Sequence, residues 1–209
     1  MTEKITVNAQ SSIRVDAEKV IYFDPFMVTE VTNDADIIFI THVHHDHFSP
    51  EDIAKVAKAD TVFVAPESMK KEVLEAGIAP EKLITLTPNI KTEVCGIPVE
   101  TVPSYNVGKK FHPKENGWIG YIVTVLGTRV YVGGDMDPTP EAKAVDCDVA
   151  MIPIGGHFTM DYAEAAAFIN ELKPKTVIPT HYGTGVGKPE DGKAFKSLIE
   201  SGIEVVFKL

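Results

Sequence analysis

The sequence predicts an α+β protein: an αββα sandwich of two mixed β-sheets flanked by helices, formed as one domain over residues 1–209. Two observations carry this. Both halves of the chain place short apolar runs, rich in β-branched and aromatic residues, between stretches with helix start and stop signals. Polar residues and glycines concentrate where those runs end, so a site is expected along the one rim where strand ends converge.

Ile5 to Val7, Ile13 to Val15 and Lys19 to Phe23 are β-type runs broken by Asn, Ser and Asp, which read as an antiparallel meander. Asp24 follows just before Pro25 and is expected to be a turn residue, with support of a ligand histidine as the alternative role. Ile37-Ile38-Phe39-Ile40 is apolar at consecutive positions and is therefore expected to be a strand buried on both faces. Ser49 as N-cap and Pro50 at the first helical position start a helix. Its free N–H groups favour an anion nearby. Thr61 to Ala65 is a strand, and Glu67 to Ala76 a helix closed by Gly77. Lys82 to Leu86, Thr92 to Val94 and Val99 to Val102 are further strands.

Residues 104–118 are polar, punctuated by glycine and hold the single tryptophan, Trp118, which marks a functional loop. Ile119 to Val125 and Thr128 to Val132 flank Leu126-Gly127 as a hairpin whose second strand runs into Gly133-Gly134-Asp135. Asp148 to Ile154 is a strand ending at Gly155-Gly156-His157. A helix follows with Asp161 as cap and Glu164 completing a capping box; Lys173-Pro174 ends it. Thr176 to Pro179 is a strand ending at Thr180-His181. A helix led by Pro189 runs to Ser201, Gly202 stops it, and Ile203 to Leu209 closes the chain as a strand.

The strand at Ile37 opens into Thr41-His42-Val43-His44-His45-Asp46-His47, where four of the chain's 7 histidines crowd together. One histidine near a strand end is ordinarily structural. Several in a row make a poor core and repel one another when protonated, so the cluster points to a metal. In extended backbone His42 and His44 face the same side and can reach one cation, with Asp46 and His47 offered at the bend. Zn²⁺ suits such nitrogen and oxygen donors, and Mn²⁺ and Fe²⁺ are tolerated.

A net charge of −10 and the lack of any Lys/Arg run disfavour nucleic-acid partners. Cys95 and Cys147, distant and without a CxxC, read as small hydrophobes of a reducing compartment. The N-terminus has no signal-peptide pattern and no stretch is apolar enough to span a membrane, so the expectation is a cytoplasmic protein with a small-molecule substrate. A homo-oligomer is compatible with the chain but not needed, because 209 residues at 44% hydrophobic supply a sizeable core.

His42-x-His44-x-Asp46-His47, then Gly134-Asp135, then the late strand-end His181, resembles the metallo-β-lactamase superfamily across nearly the whole chain. The run from Ile152 to Met160, followed by Ile178-Pro179-Thr180-His181-Tyr182, is similar to its small metal-dependent hydrolase subgroup. That subgroup is related to phosphorylated-ascorbate lactonases and to phospholipases D acting on N-acyl phosphatidylethanolamines. The resemblance implies two divalent ions: His42 and His44 on the first, Asp46, His47 and His181 on the second, Asp135 bridging. Where the family supplies a third histidine to the first ion, this chain reads Pro103-Ser104-Tyr105-Asn106. His112, swinging in from its loop, is the favoured replacement, with Asn106 or water as alternatives. His45 sits at a variable position and is not expected to be a ligand.

The resemblance further implies a hydroxide generated between the ions, oriented by Asp46 and Asp135, with His157 donating a proton or a hydrogen bond to an oxyanion. No Gly-x-Ser-x-Gly or catalytic-cysteine context competes. The expected reaction is hydrolysis of an ester, lactone or phosphoester of a small anionic substrate. Asn106, Lys109 and Trp118 are expected to contact it, and Lys109, Lys110 and Lys114 to attract it. A di-iron oxidoreductase on the same scaffold and a metal-binding module without turnover are the alternatives.

Overall fold

A computed structural model describes residues 1–209 as two sheets in face-to-face contact. The first sheet has the order β1 (Ile5–Val7), β2 (Ile13–Asp16), β3 (Val20–Phe23), β4 (Ala35–Phe39), β5 (Ala57–Pro66) and β6 (Leu83–Leu86). β1 to β3 pair antiparallel, and β3 to β6 pair parallel. Helices α1 (Pro50–Val56) and α2 (Lys70–Glu75) supply the crossovers. The second sheet contains β7 (Lys91–Val94), β8 (Ile97–Pro103), β9 (Ile119–Val125), β10 (Thr128–Val132), β11 (Val149–Pro153), β12 (Thr176–Thr180) and β13 (Glu204–Val205), ordered from β13 down to β7. Its β7–β10 part is antiparallel and its β10–β13 part parallel. The short helix α3 (Pro140–Lys143), α4 (Tyr162–Leu172) and α5 (Asp191–Leu198) lie in this half.

The burial pattern follows from the period of two in a strand. In β4, Ile37 and Phe39 belong to the apolar layer between the sheets, while Ile38 and the following Ile40 face Ile53 and Val56 of α1. The run of apolar residues is therefore buried on both sides, as a central parallel strand requires. The layer between the sheets holds 22 buried residues and is the largest of the three cores; within it Phe23 stacks on Phe39 and Tyr121 packs tilted against both. Phe168, Ile169 and Phe195 of α4 and α5 close the second sheet's outer face.

Several boundaries differ from the sequence expectation. β5 begins at Ala57, directly after α1, because Thr61 Oγ1 donates to the Ala35 carbonyl and accepts from the Lys58 amide, which holds the polar segment alongside β4. The stretch after β5 divides into a 3₁₀ turn, Glu67–Met69, and α2. α3 was not expected, although Thr139 caps it through the Ala142 amide and Pro140 occupies its first position. The last helix ends at Leu198, and the closing strand is only Glu204–Val205, since it pairs solely with Thr176 and Val177 at the sheet edge. No helix is long and apolar enough to cross a membrane.

Topology places the site. β1 and β3 are both antiparallel to β2, so they run alike, and β4 follows β3 in parallel. β8 and β10 are both antiparallel to β9, and β11 and β12 follow β10 in parallel. The carboxyl ends of these strands therefore form one rim, the position where open α/β sheets bind ligands. Across that rim the Tyr121 hydroxyl, buried in the inter-sheet layer, donates to the Ile40 carbonyl at 2.7 Å. Tyr121→Phe leaves that carbonyl without this donor, and urea unfolding should show a loss of about 1–2 kcal/mol relative to the unsubstituted protein.

Candidate metal centre

His42, His44, Asp46 and His47 leave the end of β4; His112 comes from the loop after β8, Asp135 from the turn after β10, and His181 from the end of β12. They meet as overlapping groups of donor atoms. His42 Nε2 and His112 Nε2 each lie 3.1 Å from His44 Nδ1. His47 Nε2 and His181 Nε2 lie 3.7 Å and 3.1 Å from Asp46 Oδ2. Asp135 stands between them. Its Oδ2 faces the first set, 3.3 Å from His112 Nε2 and 4.0 Å from His42 Nε2. Its Oδ1 faces the second, 3.2 Å from His47 Nε2 and 3.4 Å from His181 Nε2.

These spacings suit a cation. Donors about 2.0–2.1 Å from a tetrahedral Zn²⁺ are roughly 3.3 Å from one another. Moreover, His47 Nε2 and Asp135 Oδ1 are buried and have no hydrogen-bond partner. Polar atoms shut away from water ordinarily find one. Imidazole nitrogens and carboxylate oxygens that converge in overlapping groups fit divalent metal ions.

The protonation pattern has the same origin. Burial pushes the His42 imidazole well below its usual range, and the neighbouring His47 charge adds to this. Burial likewise lowers His44. For His47 burial acts in the same sense but is outweighed by Asp135 and Asp24, which raise it well above the usual value. Burial opposes ionisation of Asp135 too, yet His181 and His47 hold it well below the carboxylate range. Asp46, where burial is outweighed by the hydrogen bond from His181, is held down to about 2. The carboxylates are thus charged and His42 and His44 neutral, the states in which they bind metals.

The order of these residues along the chain, their convergence on one rim and the sandwich that carries them agree with a family model described as a Beta-lactamase superfamily domain, which matches residues 4–181. The chain belongs to the metallo-β-lactamase superfamily. A metal-dependent hydrolase of Pyrococcus abyssi is 29% identical to it, over 97% of this chain and 95% of that protein. Another from a Polaromonas strain is 34% identical over 94% of this chain and 84% of its own. Among solved structures, a candidate metal-dependent hydrolase from Parabacteroides distasonis superposes with a TM-score of 0.82 at 32% identity, covering 98% of this chain and 92% of that one.

Within this superfamily member, sequence reasoning undervalued Asp24. It is fully buried, and its Oδ2 accepts from His47 Nδ1 at 2.7 Å and from the Thr41 hydroxyl at 2.6 Å, while Oδ1 accepts from the Thr41 amide. Burial raises its carboxyl above the usual value even against His47 and Thr41. With Nδ1–H donated to Asp24, the His47 ring is turned so that Nε2 faces Asp135. The Thr41 hydroxyl, having donated to Asp24, can accept from His42 Nδ1 at 3.0 Å and orient that ring in the same way. The pairing of β3 with β4, Phe23 opposite Phe39, is what sets Asp24 beside the start of the histidine loop.

His112 reaches the first set as expected, whereas Asn106 does not enter it. The Asn106 amide donates to the Phe111 and Phe158 carbonyls and lies 3.2 Å from His112 Nδ1, so it closes the loop that carries His112. Trp118 is buried against the rings of His42, His44 and His112, with its centroid 4.9 to 5.5 Å from theirs, and forms the floor beneath them. Lys109 pairs with Asp137 and donates to the Thr159 carbonyl, and Lys114 pairs with Glu141 at 2.6 Å. Lys110 is exposed and does not line the cleft. The expected anion-attracting set is therefore spent on internal contacts or solvent. The first turn of α1 supplies its own acids, Glu51 and Asp52, in place of an external anion. His157 is exposed and packs against Phe158 and Phe111, apart from the five imidazoles. His45 is also outside, 89% exposed.

Backbone strain marks the same rim. Asp24, His112 and His181 have φ of 45°, 57° and 54°, a left-handed region that non-glycine residues enter at a cost. Gly134, at φ 66°, approaches Thr41 so closely that a Cβ would stand 3.0 Å from the Thr41 Cβ. A Cβ on Gly155 would fall 2.2 Å from the His181 carbonyl oxygen, so this glycine lets the His181 turn pass. His112→Ala should lower bound metal by up to one equivalent per chain, read by elemental mass spectrometry after dialysis. Asp24→Asn should keep the stoichiometry but weaken affinity about 10- to 100-fold in a chelator competition.

Proposed function

We propose that this chain is a binuclear metal-dependent hydrolase of esters, lactones or phosphoesters. The observation that carries the reading is the Asp135 carboxylate, one oxygen turned to each donor set. His42, His44, His112 and Asp135 would hold one ion, and Asp46, His47, His181 and Asp135 the other. Zn²⁺ suits the donors best and Mn²⁺ or Fe²⁺ are accommodated; such a pair supplies a water acidic enough to ionise near neutral pH and positive charge for the developing oxyanion. The relatives' description as metal-dependent hydrolases supports the same reaction class.

The chain's own residues set the conditions. Asp24 and Thr41 orient the rings of His47 and His42, so neither has to turn, and the proton that Asp24 and Asp135 favour on His47 would leave as a metal is taken up. Asp46, with 19% of its side chain exposed against 3% for Asp135, is the carboxylate open to the cleft and stays ionised because His181 donates to it. It is placed to orient a water or accept its proton. No thiol competes: Cys95 is exposed at the β7–β8 turn, and burial pushes the Cys147 thiol up to about 12. Ser104 Oγ is committed to the Gly133 carbonyl, where it secures the turn that presents Asp135.

The test is a panel of esters, lactones and phosphodiesters incubated with protein reconstituted in Zn²⁺ and, separately, Mn²⁺. At least one class should turn over and stop on chelation. Asp135→Ala should abolish that turnover and lower metal retention together. Full activity in this variant would remove the bridging role, and an inert panel under both metals would leave a binding module without turnover.

A further inference from the structure

The donor sets border a cleft of about 430 Å³ whose further lining is largely apolar, with Gln10, His45 and Thr184 as its polar members. Phe26 and Met27, from the segment after β3, form one apolar wall; Phe111 and Phe158, from the loops after β8 and β11, form another, and Val186 adds to the lining. No lysine or arginine lines it. Met27 is 51% and Phe111 37% exposed, so large apolar side chains stand open to solvent at the mouth of a polar site. Left uncovered, such surface gains nothing from folding, and apolar patches of this kind mark binding sites.

Both walls are held rigidly. Met27 adopts φ 50°, and its amide and that of Val28 donate to the two oxygens of Asp52. Asn8 donates to the Phe26 and Met27 carbonyls at 2.7 Å, and the Phe26 amide donates to Ser12 Oγ. Opposite, the Phe111 and Phe158 rings meet edge to face at 4.7 Å, and their two carbonyls share the Asn106 amide as donor. His157 meets Phe158 edge to face at 4.3 Å and so extends the aromatic wall. Strain and side-chain hydrogen bonds spent on presenting solvent-exposed apolar groups fit a preformed subsite.

The geometry points to a substrate whose scissile group sits on the metals while an uncharged aromatic or extended apolar group lies between the Phe26–Met27 and Phe111–Phe158 walls. This rests on the hydrolase reading for the bond cleaved, but the subsite itself does not depend on turnover. It replaces the anionic substrate expected from the loop lysines, of which Asp137 and Glu141 engage Lys109 and Lys114 while Lys110 lies outside the cleft.

Three ethyl esters separate the cases on zinc-reconstituted protein: phenylbutyrate, acetate, and the anionic half-ester of succinate. The expected kcat/KM for phenylbutyrate exceeds the other two by about tenfold or more. Phe111→Ala should reduce the phenylbutyrate-to-acetate ratio by about tenfold, and Phe111→Leu should restore most of it. Metal content is measured alongside, because Phe111 adjoins His112; should it drop, Met27→Ala on the opposite wall repeats the test away from the ligands. Binding of the uncleavable phenylbutyramide, followed by saturation-transfer NMR, gives a readout without chemistry. Inert esters together with phenylbutyramide binding that is lost in Phe111→Ala would support the subsite and count against ester hydrolysis, leaving lactones and phosphodiesters to the wider panel. Equal or reversed preference among the esters, or phenylbutyramide binding indifferent to both variants, would overturn the subsite.

Discussion

The rest of the molecule depends on keeping the Asp135 carboxylate charged where water is nearly excluded. A lone ion in that position would neutralise itself by taking up a proton. It does not, because His112 and His42 face one oxygen and His47 and His181 the other. The same arrangement that stabilises the anion gathers imidazole nitrogens around its two oxygens, so the groups that offset the Asp135 charge are also those able to hold a cation. Removing any partner would leave a buried charge uncompensated, which is why the donors are held by strands and tight turns.

That constraint propagates outward as hydrogen bonds. Asp24 fixes His47 and, through Thr41, His42; Ser104 fixes the turn of Asp135; Asn106 fixes the loop of His112; the His181 amide donates to the Gln10 carbonyl at the end of β1. Each of these residues follows the carboxyl end of a strand that runs toward the rim. Left-handed backbone at Asp24, His112 and His181 is the local cost of aiming three side chains that a regular strand end would direct elsewhere. The inter-sheet layer, where Phe23, Phe39 and Tyr121 pack together, supplies the rigid support against which that strain is held.

A larger groove, about 570 Å³, lies away from the histidines beside β7 to β10 and α3. Its charged residues are already matched: Arg129 and Lys91 both pair with Glu100. Size alone therefore does not locate function here; convergence of imidazoles and carboxylates does. The smaller cleft combines such a floor with exposed apolar walls, and that contrast between polar base and apolar rim is what distinguishes it from the rest of the surface.

What the residues alone determined is the sandwich, the strand at Ile37 to Ile40 buried on both faces, and the cluster His42, His44, Asp46 and His47, because apolar periodicity and crowded imidazoles are local signals; His112, Asp135 and His181 joined that cluster only through the family resemblance. The polymer order could not determine which groups stand behind them. Asp24 looked like a turn residue, and Asn106, Lys109 and Trp118 looked like substrate contacts, since a polar loop residue has the same local appearance whether it faces a ligand or its own fold. Only the packing of two sheets decided that Asp24 orients His47, that Lys109 is neutralised by Asp137, and that the cleft wall is aromatic rather than cationic. Hydrogen bonds and ion pairs between residues far apart in the chain act over a few ångströms, so their partners are chosen by tertiary proximity and leave no periodic trace in the sequence.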